Sequence, residues 1–180
     1  MKKELFQTVE IPEDVTVSLE GDVLKVSGKE GELTKKISLG KLDISIKGNE
    51  FKIGSKKATK TEKKLMNTIV AHLNNMTKGV QEKFEYELKV CSGHFPMTVN
   101  QEGNKIIVKN FLGEKINREA KIIDGVEVEI DKEKIILKSM DREKAGQTAA
   151  NFEHATKVRG RDKRVFQDGI YIIKKAGKEI

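Results

Sequence analysis

Residues 17–31 read VSLEGDVLKVSGKEG, and residues 99–113 read VNQEGNKIIVKNFLG. At an offset of 82, Val17 matches Val99, Glu20 matches Glu102, Gly21 matches Gly103, and Gly31 matches Gly113. Apolar positions match as well, Leu24 with Ile106 and Val26 with Val108. In each copy, apolar residues alternate at period two around Glu20-Gly21-Asp22 or Glu102-Gly103-Asn104. That pattern predicts two strands joined by a tight hairpin turn. A pattern written twice predicts a duplicated chain, not a solenoid, which needs at least three repeats.

The match extends outward with a small shift. Residues 43–46 (DISI) correspond to 127–130 (EVEI), and 51–53 (FKI) to 135–137 (IIL). Both copies then run into a helical pattern. Leu65, Met66, Ile69, Val70, Leu73 and Met76 share one helical face, and Gly79 is read as the stop. The second helix, over roughly 141–158, has a thinner stripe of Ala145, Ala149, Phe152 and Ala155. Its small residues, Gly146 among them, suit tight packing on a sheet or room for an RNA backbone.

The second copy is expected to gain a strand at each end, Phe84–Val90 and Val165–Ile173. The expected fold is therefore α+β: two duplicated domains, residues 1–81 and 82–180, each a small antiparallel sheet packed with one helix.

Charge is distributed unevenly over this frame. The chain carries 35 Lys and Arg against 28 Asp and Glu, a net +7. Residues 157–180 hold eight basic and three acidic residues, a net +5, which leaves only +2 for the rest. Lys157, Arg159, Arg161, Lys163 and Arg164 crowd around Gly160, with Lys174 and Lys175 further on. Such a patch is either a solvated basic segment or the footprint of a polyanion, for which nucleic acid is the natural candidate.

A second cluster, Lys56, Lys57, Lys60, Lys63 and Lys64, surrounds a predicted capping box, Thr59 to Glu62. Lysines in a first helical turn oppose the macrodipole, and a bound anion would reverse that penalty. Lys56, Lys57 and Lys60 are therefore candidate secondary anion contacts, with plain solvation as the alternative. Phe166 and Tyr171 offer aromatic faces, but their place in an alternating strand favours core packing. The aromatic-poor composition suits recognition of folded RNA by shape and backbone better than a single-strand stacking platform.

Three longer motifs resemble a known family. RVFQDGIYIIKK (Arg164 to Lys175), SGHFPM (Ser92 to Met97) and VSGKEGEL (Val26 to Leu33) stand in the order found in ribosomal large-subunit protein six, archaeal and eukaryotic branch. The resemblance spans about residues 8–175. It implies a pair of similar α+β domains bound to large-subunit ribosomal RNA, near the sarcin–ricin loop and the landing site of translational GTPases, beside neighbouring ribosomal proteins. It further implies that the second domain makes the main RNA contacts, through Lys157, Arg159, Arg161, Lys163, Arg164, Lys174 and Lys175.

Catalytic patterns are missing. There is no phosphate-binding GxxxxGK[ST] loop, no HExxH and no paired CxxC. His72, His94 and His154 are scattered, and Cys91, the single cysteine, reads as a buried apolar residue in a reducing compartment. No enzyme activity, cofactor, metal or small-molecule substrate is expected. No apolar run approaches a membrane span, and the first residues lack the apolar core of a secretory signal, so the cytoplasm is the expected location. The alternative function is a basic protein-interaction module outside the ribosome.

Overall fold

A computed structural model describes residues 3–180. The chain divides into a first unit ending at Lys83 and a second of Phe84–Ile180. The first contains β1 (Lys3–Glu10), β2 (Thr16–Glu20), β3 (Val23–Gly28), β4 (Gly31–Lys36), β5 (Asp43–Lys47), β6 (Glu50–Ala58) and α1 (Lys60–Gln81). The second repeats that order: β7 (Phe84–Cys91), β8 (Thr98–Glu102), β9 (Lys105–Lys109), β10 (Arg118–Lys121), β11 (Glu127–Asp131), β12 (Lys134–Ser139) and α2 (Arg142–Ala155). It then adds β13 (Gly169–Lys175) and a short β14 (Lys178–Glu179).

The expected α+β duplication is present, and each unit's strands form two small antiparallel sheets. In the first unit these run β2-β3-β4 and β1-β6-β5. In the second they run β8-β9-β10 and β11-β12-β7-β13-β14. Two hairpin turns carry the sequence match into the backbone. Gly21 and Gly103 hold φ of +60° and +58°, a left-handed conformation that costs glycine little.

The structure corrects three expectations. Phe84–Cys91 is not an extra strand, because β1 pairs with β6 as β7 pairs with β12; the addition is β13, which pairs with β7. Gly79 does not stop α1: the helix runs to Gln81, Gly79 is buried within it, and an extended Glu82 forms the C-cap. Helix α2 is shorter than the predicted span, running only from its N-cap Asp141 to Ala155. There the Thr156 hydroxyl turns back to the Phe152 carbonyl, 3.3 Å away, and occupies an end-of-helix acceptor.

Each helix packs against both sheets of its own unit. α1 buries Met66, Ile69, Val70, Leu73, Met76 and Val80 against Leu24, Val26, Phe51 and Ile53. α2 buries Ala145, Thr148, Ala149 and Phe152 in a core that includes Leu88, Ile106, Leu137 and Ile170. A side chain at Gly146 would meet the Tyr86 hydroxyl at 3.3 Å, so the small residues of α2 serve close packing on β7. The resulting helix end and the chain leading to β13 frame the basic segment.

Candidate nucleic-acid interface

The basic segment is the connection from α2 to β13. Its backbone is pinned while its charged side chains face solvent. Lys157, Arg159, Arg161, Lys163 and Arg164 are all exposed, whereas Val158 between them is buried. Gly160 adopts φ +69° with open space where a Cβ would stand, which lets the chain turn between Arg159 and Arg161.

Arg118, on β10, fastens the start of the segment. Its guanidinium donates to the Ala155 and Lys157 carbonyls at 2.9 and 3.2 Å, and to both Glu114 carboxylate oxygens at 2.8 and 2.6 Å. The guanidinium carbon also lies 4.2 Å from the Phe111 ring centre. Arg118 thus satisfies a carbonyl that the helix end leaves without a partner, and its planar fork suits this many-sided role.

Asp168 fastens the other end. It is buried and accepts the Gly93 and His94 amides at 2.7 and 3.0 Å, while its second oxygen lies 2.6 Å from His94 Nδ1. Burial alone would push its carboxyl up, but the hydrogen bonds from His94 and Gly93 outweigh burial and hold it below the usual carboxylate range. Next to it the Ile170 amide donates to the Thr156 hydroxyl at 2.8 Å. β13 starts so close to the helix end that a Cβ at Gly169 would meet the Thr156 carbonyl oxygen at 3.1 Å.

Between these anchors, the His94 ring stacks on Phe166 at 4.7 Å, and the Arg161 guanidinium carbon sits 4.8 Å from the Phe166 ring centre. Arg161 is thereby held in place with its charge exposed. Arg164 is paired locally: its guanidinium bonds the Asp162 carboxylate at 2.8 Å, and its amide also donates to it. That pairing holds the Asp162 carboxyl below its ordinary range.

Lys174 and Lys175 lie on β13. The Lys174 ammonium bonds the Glu87 carboxylate at 2.7 Å, which raises the lysine's pKa and lowers the glutamate's, so its charge is balanced within the sheet. Lys175 is exposed. Tyr171 corrects the core-packing expectation, being 39% exposed, whereas Phe166 is half-buried. Cys91 is likewise half-buried, not buried.

In the first unit, Lys56, Lys57 and Lys60 are exposed around a formed capping box. The Thr59 amide donates to the Glu62 carboxylate at 2.8 Å, and the Thr59 hydroxyl bonds that carboxylate too. These bonds, the hydroxyl's first, hold the Glu62 carboxyl below its usual range. Among the described residues, no group of three His, Cys, Asp or Glu is placed to hold a metal ion, and no helix is long and apolar enough to cross a membrane.

A family model described as ribosomal protein L6 matches residues 11–83 and 95–169, one span in each unit. The chain belongs to the ribosomal protein L6 family. Three relatives of that family, each named large ribosomal subunit protein uL6, match nearly end to end. The Archaeoglobus fulgidus protein is 43% identical over 174 residues, covering 94% of this chain and 89% of the relative. Those of Methanococcus vannielii and Nanoarchaeum equitans are 42% and 45% identical, each covering 96% of this chain and 94% of the relative. The relatives are named as ribosomal proteins and not as enzymes.

The contacts that shape the basic segment of this L6-family chain include two that sequence patterns left unread. Arg118 reaches carbonyls 37 and 39 residues away; the spacing of Glu114 and Arg118 is the one sequence hint of it. Asp168 and His94 are 74 residues apart, and nothing in the intervening sequence couples them.

Proposed function

We propose that this protein is a structural component of the large ribosomal subunit, acting in the cytoplasm. It binds large-subunit ribosomal RNA near the sarcin–ricin loop and the landing site of translational GTPases, and packs beside neighbouring ribosomal proteins. Family membership supports the ribosomal setting. The observation that carries the RNA surface is the connection from α2 to β13, where Arg159, Arg161 and Lys163 are exposed on a backbone held by Arg118 and Asp168. Fixed cations on a pinned loop position a protein on phosphates, which is what a structural RNA contact requires. Lys157, Arg164 and Lys175 extend that surface, Lys174 contributes least because Glu87 balances it, and Lys56, Lys57 and Lys60 form a secondary contact.

The test is affinity for large-subunit ribosomal RNA as potassium concentration is raised. Neutralising one phosphate contributes roughly 0.7–0.9 to the slope of log affinity against log salt. Arg159→Ala and Arg161→Ala are each expected to flatten the slope by about that amount, and Arg164→Ala by less, because Asp162 already shares its charge. Lys178→Ala, on the exposed β14, serves as the control. Equal effects at Lys178 and Arg161 would reduce the surface to diffuse attraction. An unchanged slope in all variants would remove it and leave a protein-interaction module. Absence of a footprint at the sarcin–ricin loop would refute the location.

A further inference from the structure

A cavity of about 220 Å³ opens between the end of α2 and β13, directly beside the pinned basic loop. Its walls come from Glu153 and His154 in the last turn of α2, Val158 in the connection, and Tyr171 on β13. Buried Thr156 and the exposed Lys157 and Lys163 complete the lining. We propose that this cavity takes one unpaired nucleobase turned out of the bound RNA, stacked on the Tyr171 ring, with its flanking phosphates at Lys157 and Lys163. The proposal rests on the RNA-binding reading above and adds to it a contact with a base, where the arginines contact the backbone.

Three observations select this occupant. The volume is below the about 300–1,000 Å³ of pockets that enclose a drug-sized ligand, and suits a single flat ring system. Tyr171 lines the cavity and is 39% exposed, on the face of β13 opposite to that of its strand neighbours Ile170 and Ile172, so an aromatic side chain is open to a ligand there. The charges are mixed. Glu153 places a carboxylate in the wall, which disfavours a bare phosphate inside and offers an acceptor to the N–H groups of a base, while the lysines supply the cations a phosphate needs. Recognition of RNA through unstacked bases laid on aromatic rings rests on the same physics.

The chain has two tyrosines and no tryptophan, which makes the site directly observable. Full-length protein carrying 3-fluorotyrosine should give two fluorine resonances, and Tyr171→Phe assigns the one from the cavity. Adenosine monophosphate should shift the Tyr171 resonance and leave that of Tyr86, which is buried, in place. Ribose 5-phosphate should shift neither. On large-subunit ribosomal RNA, Tyr171→Leu should weaken binding by about tenfold with an unchanged salt slope, and Tyr171→Phe should bind as the parent does. An unmoved Tyr86 resonance in the leucine variant shows that the unit remains folded.

The proposal is overturned if ribose 5-phosphate shifts Tyr171 as much as the nucleotide does, which would mark a phosphate site. It is also overturned if adenosine monophosphate binds as tightly as the RNA, which would mark a free-nucleotide site. Unchanged RNA affinity in Tyr171→Leu, with affinity lost in Arg161→Ala, would overturn the base contact while sparing the RNA surface. Affinity lost in neither variant would point to the failure of the RNA surface itself.

Discussion

The two units share six strands and a helix in the same order, yet they bury different amounts of side chain under that helix. α1 covers its sheets with Met66, Ile69, Val70, Leu73 and Met76. α2 does so with Ala145, Thr148, Ala149 and Phe152, and lies close enough to β7 for Gly146 to sit against Tyr86. The first unit rests on bulk. The second uses smaller side chains and adds β13 along β7, while β1 has a single sheet neighbour among the described residues. The chain connecting α2 to β13 then becomes an exposed basic loop. A duplicated frame can thus keep one copy as a packed body and give the other an exposed basic loop, by changing the chain beyond the helix.

The largest test of this division is Leu73→Ala. Leu73 is fully buried, and its truncation should destabilise the first unit by about 2–5 kcal/mol, measured by denaturant unfolding. Affinity for large-subunit RNA should nevertheless fall less than it does in Arg161→Ala. If the destabilised first unit instead removes most of the affinity, the binding surface is not centred on the second.

Asp168→Asn attacks the other side of the comparison. It weakens the charge-assisted bonds to Gly93 and His94, at an expected cost of about 1.5–3 kcal/mol at neutral pH. Because the folded protein lowers the Asp168 pKa, its contribution is fully present above the carboxylate's ordinary unfolded value. It is lost as pH falls through the depressed folded value. The variant should therefore show a shallower loss of stability under acid than the parent. Hydrogen exchange at the Gly93 and His94 amides reads the effect locally, and equal acid sensitivity in parent and variant would refute it.

The smallest expected effect concerns matching turns. Gly48, between β5 and β6, holds φ +56°, whereas Lys132, between β11 and β12, is forced to +44°. Lys132→Gly should stabilise the second unit by up to about 1 kcal/mol, and Gly48→Lys should cost the first a similar amount. Thermal unfolding of the two variants checks the symmetry; opposite signs from these would break it.

Local patterns made the duplication, the hairpins at Gly21 and Gly103, and the capping box of α1 legible, because each depends on residues a few positions apart. The basic loop was legible as charge. Its shape was not. Arg118, His94 and Asp168 act across 37 to 75 residues, and no periodicity encodes such pairs. Gly79 misled because a glycine near a helix end reads as a stop, whereas here it is buried inside the last turns. Tyr171 misled because alternation places a side chain on a face without saying whether anything covers it.

The strand that closes the second unit also sets a clock. α1 and every strand it packs against lie within the first 81 residues, so on the ribosome that makes this chain the first unit can mature early. β7 must wait for β13, paired across some eighty residues, before its sheet is whole. Asp168 meets Gly93 and His94 at the same moment. The arginines around Gly160 therefore become a shaped surface among the last events of folding, and a chain made only as far as the loop carries that charge before it has a site in which to hold it.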